Sequence, residues 1–205
     1  MKSKLFTAAL AALMLSSCTP KENGYFDNLP QEANPIEIGN KITNRFLEQG
    51  HSQYGSPLRV NEPRTQITYP DVCTWLGGLW FAQETDNKEL TERLKARFEP
   101  LFTNEAYLQP KPNHVDNNVF GAVPLELYLQ TGEERYKTLG MMYADSQWEL
   151  PANWKLKEGE ERQSSMYGDF KDADICQPEQ KEWADKGYSW QTRFWLDDMY
   201  MITTI

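Results

Sequence analysis

Two acidic positions, Asp116 and Asp197, carry the strongest chemical signal in this sequence. Each stands at the start of an apolar segment and is followed at once by a residue able to cap a helix: Asp116-Asn117 and Asp197-Asp198, against Pro70-Asp71 in an earlier segment of the same kind. A helix start needs a side-chain acceptor for its free N–H groups and favours negative charge. Asp71, Asn117 and Asp198 fill that need by position, so Asp116 and Asp197 are carboxylates beyond it. Gathered at one mouth and ringed by Trp75, His114, Phe120, Trp190, Trp195 and Tyr200, the two suit general acid–base work. Apolar walls and a neighbouring charge raise one carboxyl's pKa until it holds a proton near neutrality. Simple capping is the competing explanation. Arg193, close to Asp197, can face an anionic substrate or form a structural ion pair. Trp75 and Trp195 can stack on sugar faces or pack between helices.

The elements that must position these groups are helical almost throughout. Residues 35–49 place Ile38, Ile42 and Phe46 on one stripe, with Gly50 as a stop. Residues 71–85 are apolar nearly all round, which predicts an inner helix. Asp86 is the expected cap of the next helix, where Leu90, Leu94 and Phe98 mark one face of an outer helix. The pattern then returns: a crowded apolar helix over 117–131, Thr131-Gly132, and a more polar helix over 133–148. Thr85-Asp86 and Thr131-Gly132 correspond, so the repeating unit is a helical hairpin with an apolar inner and an amphipathic outer member. Residues 150–188 break the rhythm and read as a long loop. Residues 189–201 begin a third inner helix whose outer partner is absent, which predicts that the sequence is part of a longer protein or one end of an assembly.

The formal net charge of −9 leaves no basic face for nucleic acid, so no nucleic-acid partner is expected, and a site for any anionic ligand must supply its positive charge locally. With only His51 and His114, and no paired cysteine spacing, neither a metal nor a cofactor is expected. Cys73 and Cys176 suggest either one disulfide or two free buried thiols. At the N-terminus, two lysines in residues 1–4 precede an apolar run too short to span a bilayer, then Leu15-Ser16-Ser17-Cys18. That string resembles a bacterial lipobox. The resemblance implies a signal peptide over 1–17, acylation of Cys18, a tether over 18–34, and a protein anchored to a membrane at the periplasm or cell surface.

Three strings carry a further resemblance. They are Asp71-Val72-Cys73-Thr74-Trp75-Leu76-Gly77-Gly78-Leu79-Trp80-Phe81-Ala82; His114-Val115-Asp116-Asn117-Asn118-Val119-Phe120-Gly121-Ala122-Val123-Pro124-Leu125-Glu126-Leu127-Tyr128; and Trp190-Gln191-Thr192-Arg193-Phe194-Trp195-Leu196-Asp197-Asp198-Met199-Tyr200-Met201. They resemble glycoside hydrolase family 105, the unsaturated rhamnogalacturonyl hydrolases, which is related to the family 88 unsaturated glucuronyl hydrolases. The resemblance runs over 35–205 and implies an all-α fold, an (α/α)6 toroid of helical hairpins of which this is about the first half. It implies removal of a 4,5-unsaturated uronic acid from the non-reducing end of lyase-generated oligosaccharides. Asp197 would protonate the vinyl ether and activate water, and Asp116 would be the second aspartate that tunes it. Trp75, His114, Trp195 and Arg193 are the expected substrate contacts. Two other readings stand beside this one: a non-catalytic glycan-binding lipoprotein, and another (α/α)6 enzyme, which would carry histidines or glutamates at the mouth.

Overall fold

The computed structural model describes residues 29–51, 64–150, 155–156, 175–176, 178–191 and 196–203. The signal peptide and Cys18 expected above lie outside these residues. The chain divides into two compact units, Met1–Asn40 and Lys41–Ile205. The first contributes a 3-10 turn, Gln31–Ala33, and the opening residues of helix α1 (Pro35–Glu48), where Ile36 N and Glu37 N donate to Asn34 Oδ1. In the second unit the remainder of α1 buries Thr43 and Phe46, whereas Ile42 is 56% exposed. The inward face of α1 is therefore rotated away from the expected Ile38–Ile42–Phe46 stripe, and Ile38 is exposed too.

The first hairpin joins α2 (Tyr69–Glu84) to α3 (Lys88–Phe98). Pro70 sits in the first turn of α2, where a missing N–H costs nothing, and Thr68 and Asp71 form a reciprocal capping box. At the other end Thr85 donates its hydroxyl to Phe81 O, and Asp86 takes a left-handed conformation with φ 48°. The cap of α3 is Asn87, whose Oδ1 accepts from Leu90 N at 3.0 Å, and not Asp86 as expected. Asp86 is committed to reversing the chain. Leu90, Leu94 and Phe98 are buried, as their spacing requires.

The second hairpin repeats this construction. Thr131 donates to Leu127 O, Gly132 adopts φ 75°, and α6 (Glu134–Ser146) returns along α5 (Ala122–Thr131). The segment expected as one helix over 117–131 is in fact three pieces: a single turn, α4 (Val115–Asn118), a 3-10 turn, Val119–Gly121, and α5. Pro124 supplies the reason. It has no N–H for Phe120 O, and its ring crowds that carbonyl, so it is accepted in the first turn of a helix and not in the interior of a longer one. Gly121 and Gly140 let α6 approach closely. A Cβ on Gly121 would lie 2.5 Å from Tyr143 Cβ, and one on Gly140 would lie 2.7 Å from Leu125 Cδ2 and 3.0 Å from Gly121 O.

The two hairpins pack through α2 and α5. Trp80 Nε1 donates to Glu126 Oε2 at 3.1 Å, a pair separated by 46 residues, the same offset as Thr85 and Thr131. Gln130 Nε2 reaches both Leu79 O and Glu126 Oε1. Within the core an aromatic chain runs Phe46–Trp75–Phe98–Phe120–Tyr143, with successive ring centroids 5.4, 5.4, 5.7 and 5.1 Å apart. Edge-to-face and offset contacts of this kind contribute about 0.5–1.5 kcal/mol each beyond area burial. Much of the aromatic content of the sequence is thus core.

Between residues 150 and 188 the expected loop contains further structure: a two-residue parallel pair, β1 (Lys155–Leu156) with β2 (Ile175–Cys176), and α7 (Pro178–Asp185). The last element is α8 (Leu196–Thr203). Helices dominate the described residues, so the fold class is all-α. No helix among them is long and apolar enough to cross a membrane.

Candidate functional site

Asp116 lies in α4, and Asp197 lies in α8. These two helices pack against each other. A four-residue helix has little stability of its own, so its neighbours must hold α4. His114 caps it, its Nδ1 accepting from Asp116 N at 3.2 Å. Gln66 Nε2 donates to Asn117 Oδ1 at 2.7 Å, and Asn117 Nδ2 donates to Asn113 Oδ1. Asn118 is buried, donating to Tyr143 O and accepting from Ser146 Oγ, both near the end of α6. The segment leading to α8 is pinned at the same place. Trp190 Nε1 and Gln191 Nε2 donate to Ser146 O, and Gln191 Nε2 also donates to Pro112 O at 3.1 Å.

The start of α2 adjoins this cluster through Gln66. Arg64 clamps that start: its guanidinium donates to both oxygens of Asp71 and to Thr68 Oγ1. The cap itself is Thr68, and Asp71, buried two residues inside the helix start, accepts from Thr68 N and is not the cap that its position suggested. Asn117 does not cap. His114 does so in its place, and Asn117 instead ties α4 to the strand of chain before α2. The start of α2, α4 and residues 190–191 ahead of α8 are therefore tied together by these side-chain bonds.

Asp116 has a side chain 34% exposed, with Oδ2 3.7 Å from His114 Nδ1. Because Nδ1 accepts from the backbone of Asp116, a neutral His114 has no proton on that nitrogen to give the carboxylate. Asp198 is fully buried. The side chain of Asp197 and the whole of Arg193 and Trp195 lie outside the described residues.

The aromatic wall is where the sequence misled. Trp75 is 0% exposed; it donates Nε1–H to Leu94 O and packs between Phe46 and Phe98. It is a core residue and not a stacking platform. Phe120 and Trp190 are buried as well, and His114, expected to touch substrate, is a nearly buried cap. On a helix that is apolar all round, composition does not say which face looks inward. Tyr200 is half exposed and bonds Cys73 on α2. Cys73 itself is a free, exposed thiol, neither half of a disulfide nor buried.

A cavity of about 460 Å³ lies elsewhere, between the end of α1 and the second half of α3. Its lining includes Gln49, His51, Arg93, Arg97, Pro100 and Glu105, and none of the residues anticipated as catalytic or substrate-binding. Sequence reasoning gave His51 no role. Its neighbours in sequence, Gln49, Gly50, Ser52 and Gln53, carry no motif, and its partner Glu105 is 54 residues away, so no local spacing points to it. Compared with models of protein families, with curated proteins and with solved structures, the chain matches none.

Proposed function

We propose that this chain belongs to a glycoside hydrolase that removes a 4,5-unsaturated uronic acid from the end of pectin- or rhamnogalacturonan-type oligosaccharides, and that its hairpins form part of an (α/α)6 toroid. The observation that carries the reading is the packing of α8, the helix that includes residue 197, on α4, the helix that bears Asp116. The resemblance of the three inner segments to family 105 supplies the substrate class. Attachment to a membrane through an acylated Cys18 belongs to the same proposal.

In this reading the carboxylic acid of Asp197 gives its proton to C4 of the vinyl ether, and the electron pair of the double bond forms the new C–H bond. An oxocarbenium-like cation is left at C5. Water attacks C5 and returns a proton to the carboxylate. The hemiketal so formed opens and releases the neighbouring sugar. Asp116, close by and anionic, favours the protonated form of its partner and offsets the developing positive charge. This is hydration followed by collapse, so the carboxylate separations that sort retaining from inverting glycosidases do not govern it.

The test uses lyase-treated pectin and follows the ultraviolet absorbance of the conjugated enol-ether carboxylate. Hydration abolishes the chromophore, whereas binding alone leaves it. Turnover by the protein together with a loss of about 10²–10⁴-fold in Asp197→Asn is the expected result. Turnover that survives Asp197→Asn refutes the assignment of the acid, and binding with an unchanged chromophore favours a non-catalytic glycan-binding protein.

A further inference from the structure

His51 lies just beyond the end of α1, and its side chain is 3% exposed. Nδ1 lies 2.5 Å from Glu105 Oε2, and the ring packs against Trp75 with centroids 5.5 Å apart. A carboxylate only accepts, so Nδ1 carries the proton of the neutral ring, and Nε2 is left as a bare lone pair. Nε2 is buried and meets no hydrogen-bond partner among the described residues. Neutral imidazole tolerates this at the cost of one unmade acceptor and no buried charge. The imidazolium does not: it places an N–H donor where nothing accepts it and adds a charge near the Arg97 guanidinium, which itself stacks on Phe46 and Trp75.

Among the described residues, the charged groups near His51 include Arg97 from α3, Glu105 from the turn after it, Asp71 from the start of α2, and Arg64, which reaches the backbone oxygen of His51 from the segment before α2. Burial and Arg97 hold the ring below the ordinary imidazole range, against the opposing pull of Glu105 and Asp71. The cavity of about 460 Å³ borders both His51 and Glu105, so a ring displaced from its site has a solvated space to enter. The same residue is wired to the candidate site. Arg64 Nη1 reaches His51 O at 3.5 Å while its guanidinium clamps Asp71 and Thr68, and Gln66, two residues on, holds Asn117 of α4.

We propose that His51 is an acid-operated latch: a proton taken up at Nε2 drives the ring into the adjoining cavity, slackens the hold of Arg64 on residue 51, and loosens the strap over 64–68 that pins the starts of α2 and α4. The latch is closed at neutral pH. The unfolded chain takes up its proton first as pH falls through the ordinary histidine range, about 6.5, so stability is full above that value and declines below it, down to the depressed pKa of the folded state. One proton changes the unfolding constant by at most about tenfold per pH unit.

The test needs no substrate and so stands apart from the hydrolase reading. With two histidines in the chain, imidazole resonances are assigned by comparing full-length protein with His51→Asn, in which the amide still donates to Glu105 but does not titrate. The expected result has three parts. His51 titrates below the ordinary value. The urea-unfolding constant of the parent protein rises faster from about pH 7 to 5 than that of His51→Asn, by a factor approaching tenfold per unit. Amide exchange over 115–118, corrected for intrinsic rate, accelerates with acid in the parent only. A His51 midpoint at or above the ordinary value overturns the proposal, and that measurement on the parent alone suffices should His51→Asn not fold. Equal pH dependence of the two proteins overturns it as well.

Discussion

Gly77→Ala and Gly140→Ala are the same chemical change in two helix interiors, and the structure assigns them opposite signs. In either helix, replacing glycine by alanine gains about 0.5–1 kcal/mol from backbone entropy and helix propensity. At Gly77, on the exposed face of α2, the new methyl meets nothing within 4 Å, so the gain is realised in full. At Gly140 the methyl lands 2.7 Å from Leu125 Cδ2 and 3.0 Å from the carbonyl oxygen of Gly121. The closest atom is Leu125 Cγ, a branch point that rotation of the leucine's tip does not clear, and a backbone oxygen in the facing segment cannot rotate away either. The α5–α6 contact must widen, and the fit of Tyr143 on Gly121 widens with it. Overpacking of this kind costs about 1–3 kcal/mol, and contact with backbone puts this case at the upper end. The net expectation is a loss of about 2 kcal/mol for Gly140→Ala and a gain of under about 1 kcal/mol for Gly77→Ala. Urea unfolding followed by tryptophan fluorescence measures both, with unchanged slope as the check that only stability moved. Gly140→Ala as stable as Gly77→Ala would refute the close approach of α5 and α6 on which the position of α4 depends.

Asp71→Asn keeps a capping acceptor but strands the largely buried Arg64 without its counter-ion, and should cost about 3 kcal/mol in the same unfolding assay. Asp71→Asn as stable as the parent would mean that the clamp at the start of α2 contributes no net stability. Cys73 should label with a maleimide in the folded protein, slowly at neutral pH, because partial burial raises its thiol pKa while the bond to Tyr200 lowers it by less. Tyr200→Phe removes that bond and should slow labelling of the Cys73 peptide further, as read by mass spectrometry; faster labelling would show that Tyr200 shields the sulfur instead.

The hairpin repeat was legible because it rests on local chemistry. A threonine that back-bonds to the carbonyl four residues earlier, then a residue forced to positive φ, ends both α2 and α5, and both cues are visible as Thr85-Asp86 and Thr131-Gly132. The break before α5 was legible too, had Pro124 been weighed against the apolar pattern. What the sequence could not show is which side of an apolar helix faces the core. Trp75 and Phe120 are identical in kind to sugar-stacking aromatics, and only the tertiary pairing with Phe98 identifies them as interior. The cap of α4 is His114 and not Asn117 because the helix begins at Val115; Asn117 is already inside its single turn, where Gln66, 51 residues away, engages its side chain.

The brevity of α4 has a consequence for how Asp116 can change. A single turn cannot dictate where its own side chains sit, so the carboxylate's orientation is delegated to Gln66, Ser146 and the capping imidazole of His114. A surface designer wishing to re-aim that acid would therefore leave residues 115–118 untouched and edit the foot of α6 or the approach to α2. Sequence drift at those remote supports would retune the acid without altering a single neighbour along the chain.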